Sequence, residues 1–173
     1  MARHRWMVVL GLALIVTAII GLSIVGAYFG GGMRMRGPRT LERPAEFQSN
    51  GERIYYSATS ASGDRITFSN GPHWLYMHGG SCVDCHGPGG RGGIRVPMTN
   101  EIAPDIRYGT LTAAEHEDHG EEHPPYTRSL IERAISEGLE PAGKRLHWAM
   151  PRWRMSDRDL DDLIEYLKAL DGG

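Results

Sequence analysis

The chain has 173 residues, of which 40% are hydrophobic and 23% charged, and its formal net charge is only −2. Six of the 19 basic side chains and one of the 21 acidic ones lie in the first 43 residues, which leaves 13 basic and 20 acidic side chains in residues 44–173. This larger part therefore carries a net charge of −7, and such an acidic domain is a poor binder of nucleic acid.

The first predicted element is a transmembrane helix over Met7–Phe29. No residue between Met7 and Gly32 is charged. A helix over Met7–Phe29 is about 34 Å long, which is enough to cross a hydrocarbon core of roughly 30 Å. An export signal has a shorter apolar core of roughly 7–15 residues, but Val25-Gly26-Ala27 resembles a cleavage site. A cleaved signal peptide therefore stays open as the alternative.

The predicted organisation has three parts. Residues 1–29 form a cytoplasmic tip and the membrane anchor, and residues 30–46 form a linker that contains two prolines and four arginines. Residues 47–173 form one small domain, as their number suggests. Two arginines precede the span and four follow it, so the positive-inside rule taken alone would place this domain in the cytoplasm.

The first elements of the domain are a helix and a short extended segment. The helix is predicted over Gln48–Thr59, with Ile54, Tyr55 and Tyr56 as its apolar side chains. The extended segment is predicted over Arg65–Phe68, and Asn70-Gly71 then indicates a turn.

The most informative motif is Cys82-Val83-Asp84-Cys85-His86, a Cys-x-x-Cys-His run that is typical of covalent attachment of a c-type haem. The two thiols add to the two vinyl groups of the haem, and the next imidazole binds the iron as the proximal ligand. A redox disulfide or half of a zinc site are the alternatives. The first needs a βαβ context that is absent here, and the second needs further ligands that only histidines can supply. The sequence therefore predicts one covalent haem c.

A second group of polar residues lies at 115–123, where three histidines and five carboxylates share one loop. This composition is typical either of a metal-binding tract or of a solvated acidic loop. The sequence does not decide between these two interpretations.

Two more helices are predicted near the C-terminus. The first covers Tyr126–Glu137 and ends at Gly138, which is a common helix stop. The last helix covers Leu160 to Leu170, follows a cap at Ser156, and has an apolar stripe. That stripe consists of Leu160, Leu163, Ile164, Leu167 and Leu170.

The second axial ligand of the iron has several candidates, namely Met98, Met150, Met155, His147 and the histidines of 116–123. Met150 is favoured because Pro151 restricts the backbone beside it, and because Trp148 and Trp153 can shield an iron from water. Basic residues surround this segment. They either form a positive rim that attracts an acidic partner, or neutralise the haem propionates alongside ordinary surface charge, and the sequence does not decide between the two. These basic residues are Lys144, Arg145, His147, Arg152 and Arg154.

Taken together, these motifs resemble a class I cytochrome c over roughly residues 47–171. The resemblance rests on four features: Cys82–Gly87, the helix that ends at Gly138, the Met150-Pro151 step, and the closing helix with Tyr166-Leu167. Two insertions, at about 60–77 and 112–125, depart from the shortest members. The resemblance implies an all-α haem domain in which the first and last helices cross, preceded here by one transmembrane helix.

The family resemblance also implies roles for individual residues. The Met of the Met-Pro step is the distal ligand, so the axial ligands are expected to be His86 and Met150. In the family, a proline some eleven or twelve residues after the ligand His packs on the imidazole, and its carbonyl oxygen accepts the imidazole N–H. Pro97 stands at that distance. Cys82, Cys85, Pro97 and Trp153 complete the expected haem-binding set.

The predicted function is electron transfer by a membrane-anchored monohaem cytochrome c, between respiratory or photosynthetic redox proteins. Maturation of this family outside the cytoplasm implies a single-pass protein of the inner membrane with a periplasmic haem domain. We expect no small-molecule substrate and no enzymatic reaction, because no nucleophile and base accompany the haem. The alternatives are a fixed haem subunit of a larger complex, such as an alternative complex III or a terminal oxidase, and a haem enzyme or gas sensor.

Overall fold

The computed structural model describes residues 43–113, 117–118, 121–122 and 124–172. Within these ranges no helix is long and apolar enough to cross a bilayer, and the predicted span Met7–Phe29 lies outside them. The helices are α1 (Asn50–Ser57), α2 (His73–His78), α3 (Cys82–His86), α4 (Tyr108–Leu111), α5 (Arg128–Glu137) and α6 (Asp157–Ala169), which continues into a 3₁₀ turn (Leu170–Gly172).

The described residues also form four short strands, so the expectation of an all-α domain is corrected to a mostly helical one. Strand β1 (Thr67–Ser69) pairs with β4 (Arg152–Arg154), and β2 (Glu117–Asp118) pairs with β3 (Glu121–Glu122), both antiparallel. Phe68 stands opposite Trp153, and their rings lie 5.3 Å apart. The local sequence does not indicate strand β4. Its three residues form a strand only because they pair with a segment more than 80 residues away in the chain.

Helices α1 and α6 cross, as the family resemblance implies. The contact point is Gly51, where a Cβ atom would collide with the main-chain carbonyl of Asp162 and lie 2.8 Å from the Cβ of Tyr166. The absence of a side chain at this position lets the two backbones touch. Around the crossing, the apolar faces of both helices are buried in the main core of the domain.

The ends of the helices agree with the predicted caps. The Ser156 hydroxyl accepts a hydrogen bond from the N–H of Asp159, 3.2 Å away, at the start of α6. Helix α5 begins two residues later than predicted, with Thr127 as its cap, and it ends at Gly138 in a left-handed conformation. In α6, Leu163, Ile164 and Leu167 are buried, whereas the flanking leucines of the predicted stripe are only partly buried.

A buried carboxylate ties the crossing helices together. Asp159 is 2% exposed and accepts hydrogen bonds from Asn50 Nδ2 at 2.8 Å, from Ser60 Oγ at 2.6 Å and from Ser156 Oγ at 2.8 Å. Burial by itself would raise the pKa of Asp159, but these hydrogen bonds outweigh it and lower the pKa. The ionised carboxylate therefore stabilises the contact between α1, the loop after it, and α6.

Asp159→Asn is expected to reduce the free energy of unfolding by roughly 1–3 kcal/mol, because an amide cannot accept all three hydrogen bonds. Since the folded-state pKa is lowered, this stabilisation is present above the unfolded-state pKa of about 3.9 and is lost as pH falls below it. Urea unfolding at pH 7 and over an acidic series measures both effects. Asp157→Asn, on the exposed first turn of the same helix, is the matched control. Equal losses in the two variants would contradict the role assigned to Asp159.

Candidate functional site

Helix α3 places the two thiols of the Cys-x-x-Cys-His motif on one wall of a cavity. Ser81 and Asp84 form a reciprocal capping box at its start, in which Ser81 N donates to Asp84 Oδ2 at 2.8 Å. Residues three apart on a helix share a face, so Cys82 and Cys85 both line the cavity, where they are half-buried and not joined in a disulfide. Burial raises the pKa of Cys82 to about 12 and that of Cys85 to about 11, so a free thiol at either position would be protonated at neutral pH.

His86 ends α3 with its imidazole 5% exposed and on the same cavity. Its Nδ1 lies 2.9 Å from the carbonyl oxygen of Pro104. Because that carbonyl can only accept, the proton belongs on Nδ1, and Nε2 keeps the lone pair that binds a metal. The hydrogen bond thus sets both the tautomer and the orientation of a ligating imidazole.

The prediction that Pro97 packs on His86 and accepts its N–H is wrong. Pro97 is exposed and does not line the cavity. The reason is a hairpin-like turn, in which Arg95 pairs with Ile102 and the N–H of Val96 donates to the carbonyl of Glu101. This turn carries residues 97–100 outward and brings the chain back to the histidine seven residues later than the family spacing suggests.

Gly92 makes the close approach of this returning segment possible. Its φ is +63°, and a Cβ atom there would collide with the main chain of Ala103 and Pro104. The N–H of Gly92 donates to the carbonyl of His86 at 3.0 Å, and the N–H of Gly93 donates to that of Ala103 at 2.8 Å. The glycine-rich run after the motif therefore positions the Pro104 carbonyl against the imidazole.

Met150 is the methionine that shares this cavity with His86. It lies beside Pro151 and Trp153, both of which are buried and line the cavity as well. The rival methionines are elsewhere: Met98 is 83% exposed, and Met155 packs against the main core without lining the cavity. The structure thus brings together Cys82, Cys85, His86, Met150 and Trp153, five of the six residues in the predicted site.

The other residues considered as ligands or shields of the iron have different outcomes. His147 lines the cavity, but its Nδ1 accepts from the N–H of Ala149 at 3.3 Å and its Nε2 lies 3.4 Å from Glu101 Oε1, so both ring nitrogens have other partners. Trp148 is 53% exposed and does not line the cavity, which corrects its predicted shielding role. The histidines of 116–123 lie outside the described residues.

Trp74 is a cavity residue that the sequence did not indicate. It belongs to α2, within the insertion before the motif, and nothing in its local pattern marks it as part of a site. Its Nε1 is buried and has no hydrogen-bond partner among the described residues. Such an orphan donor is costly unless an acceptor is supplied from within the cavity.

The cavity fits a haem. Apart from the thiols, His86 and Met150, its walls are largely apolar, as a flat macrocycle requires, and the Trp74 N–H offers a donor for a propionate carboxylate. Apolar lining residues come from α2, α4, α5, α6 and the loops between the helices. They include Leu75, Val96, Ala103, Ile106, Leu111, Ile131, Ala134, Ile135, Leu146, Leu163 and Leu167.

Comparison with known families agrees with this geometry. The family described as cytochrome c matches residues 75–171, which is more than half of the chain. The chain belongs to the cytochrome c family. No curated protein and no solved structure gives a significant match.

Membership confirms the class I cytochrome c predicted from the motifs, with haem c as its covalently bound cofactor. The protein is accordingly an electron carrier of the haem class rather than a catalytic enzyme. The matched region begins at Leu75 inside the first insertion, so most of that insertion lies outside the family pattern.

In this cytochrome, the segment that carries Met150 is held by a buried arginine. Arg152 is 7% exposed, and burial, together with the charge of Arg145, lowers its pKa. It therefore does not belong to the positive rim that the sequence suggested. Lys144, Arg145, His147 and Arg154 are exposed, as a rim requires.

Proposed function

We propose that this cytochrome is a membrane-anchored carrier that passes single electrons between respiratory or photosynthetic redox proteins at the outer face of the membrane. The observation that carries the proposal is that one cavity presents both an oriented imidazole and a thioether. With His86 and Met150 as the axial ligands, the iron would have no position left for a substrate. When bound, the haem supplies a reversible ferric–ferrous couple, and Met/His ligation favours a higher potential than bis-His ligation.

The side chains of the cavity have distinct tasks in this proposal. The two cysteines would hold a single haem through thioether bonds, which would prevent its loss from the protein. The Pro104 carbonyl keeps the His86 imidazole in one tautomer. Trp153 forms part of the apolar wall that excludes water, and the unpartnered Trp74 N–H would be available to donate to a propionate.

Carbon monoxide binding tests whether both axial positions of the haem iron are occupied by protein side chains. The ferrous protein is expected not to bind carbon monoxide at neutral pH, because the Met150 thioether occupies the distal position. The Soret spectrum before and after addition of the gas gives the measurement. Rapid and complete binding by the unmodified protein would instead favour the haem enzyme or gas sensor.

The membrane part of the proposal rests on the sequence. The uncharged stretch at 7–32 is longer than an export signal needs, and the arginine-containing linker is long enough to let the haem domain move near the membrane. Tethering of this kind raises the effective concentration of the domain near membrane-bound partners. An inner-membrane location with the haem domain in the periplasm follows from where c-type haem is attached.

The full-length protein is expected to stay in membranes after washing with high salt or carbonate, because a spanning helix is held by burial of its apolar surface. Protease added to the outer face should digest the haem domain, whereas protease added to the cytoplasmic face should not. The intact mass should correspond to a chain that begins near Met1. A mass that begins at Tyr28 would instead identify a soluble periplasmic carrier.

A second candidate function is that of a fixed haem subunit in a larger membrane complex. The observation in its favour is the exposed pair Tyr76 and Met77 on α2, since large apolar side chains on a surface often mark protein contacts. Mild detergent separates the two functions. A free carrier elutes alone, whereas a subunit co-purifies with partners that mass spectrometry identifies.

A further inference from the structure

Arg152 makes an unusual set of hydrogen bonds for a charged side chain. Its Nη2 donates to the carbonyl of Leu146 at 2.7 Å, and its Nη1 donates to the carbonyl of His147 at 3.2 Å and to that of Met150 itself. One planar guanidinium thus bonds three main-chain acceptors within the five residues that end at the predicted ligand. A fork of fixed N–H groups is suited to this task, and a single ammonium group is not.

The guanidinium of Arg152 packs against the C-terminal end of α5. Gly138 ends that helix at φ +70°, and a Cβ atom there would collide with the guanidinium of Arg152. The N–H of Leu146 donates to the carbonyl of Gly138 at 2.8 Å, so the segment returns to the same point. Arg152 therefore connects the fixed end of a core helix with the loop that carries Met150.

The charge of Arg152 has no neutralising partner among the described residues, where the acceptors of its hydrogen bonds are carbonyl groups and no carboxylate pairs with it. Arginine keeps its proton even when buried. A positive charge with little solvent around it acts over a longer range than one at the surface. Such a charge beside the haem cavity disfavours the ferric state, which is the more positive of the two.

We propose that Arg152 is a positioning residue with two effects: its guanidinium holds residues 146–150 in the arrangement that presents the Met150 thioether, and its buried charge raises the reduction potential of the haem. The inference rests on the proposed function, in which Met150 is the distal ligand. It assigns a role to an arginine that the sequence would place among ordinary surface charges.

Two substitutions separate the geometric effect from the electrostatic one. Arg152→Lys keeps the charge but cannot bond three carbonyls, so ferric haem should bind added imidazole roughly tenfold more tightly while the potential stays near that of the unmodified protein. Arg152→Gln removes the charge as well, so the imidazole affinity should rise and the potential should shift downward. Arg154→Gln, the same charge change at an exposed position of β4, is the control and should alter neither quantity appreciably.

The measurements are imidazole titration, spectroelectrochemical potential and the near-infrared sulfur-to-iron band, all on the haem-loaded protein. A merely structural role predicts lower melting temperatures in both Arg152 variants with unchanged affinity and potential, and that result would overturn the inference. Should Arg152→Gln fail to fold, unchanged imidazole affinity in Arg152→Lys is sufficient to reject the positioning role. If the near-infrared band persists in Met150→Ala, Met150 is not the distal ligand. If the band is lost in Met150→Ala but both Arg152 variants behave like the Arg154→Gln control, only the role of Arg152 is refuted.

Discussion

Met150→Ala is expected to abolish the near-infrared sulfur-to-iron band of the oxidised protein and to open the iron to added imidazole, cyanide and carbon monoxide. The reduction potential should also fall, because a thioether stabilises the ferrous state. The covalent haem should be retained, since Cys82 and Cys85 are untouched. Optical spectra and spectroelectrochemistry of the purified protein measure these changes.

The matched control is Met155→Ala. Met155 is a partly buried methionine close by in sequence, and it packs on the main core rather than on the cavity. Its loss should lower stability by roughly 2–3 kcal/mol without any change in the band. Met98→Ala, at an exposed position, should change neither quantity. Loss of the band in either control would show that the distal ligand has been assigned to the wrong methionine.

Gly51→Ala is expected to destabilise the domain by roughly 2–3 kcal/mol, because the added methyl group collides with the main chain of α6 and forces the two helices apart. Helix propensity alone predicts the opposite sign, since alanine is preferred over glycine inside a helix by about 1 kcal/mol. The direction of the change therefore separates the packing effect from propensity. Urea unfolding of the haem-loaded protein, followed by circular dichroism, gives the free energy.

Gly172→Ala serves as the comparison for this substitution. It lies in the C-terminal 3₁₀ turn, and a Cβ atom there meets nothing within 4 Å. Its stability should match that of the unmodified protein. If Gly51→Ala is as stable as Gly172→Ala, the helices can move apart without cost, and the tight crossing is not important for the fold.

The first insertion is part of the haem site rather than an appendage. It supplies β1, which pairs with the strand that carries Trp153, and α2, which contributes Trp74 and Leu75 to the cavity wall. A ring contact of 5.3 Å between Phe68 and Trp153 connects the two strands. Changes in this segment are therefore expected to affect the haem spectrum as well as the surface.

The family and its cofactor were readable from the sequence, because covalent attachment needs two thiols and a histidine at one fixed local spacing. The boundaries of α1, α5 and α6 were also close to prediction, since caps such as Ser156 and apolar faces repeat within a few residues. Met150 could be favoured by its Met-Pro context, but only as one of several candidates. The structure places Met150 on the cavity, whereas Met98 is exposed, Met155 packs on the main core, and the ring nitrogens of His147 have other partners.

What only the tertiary structure decided are contacts between residues far apart in the chain. Pro104 replaced Pro97 as the partner of His86 because a turn at 95–102 shifts the chain, and the spacing between motifs does not record such a turn. The burial of Arg152 depends on the end of α5, and the role of Trp74 depends on an inserted helix returning to the cavity. Local sequence determines which side chains are available, whereas their burial and partners depend on how distant segments pack around the site.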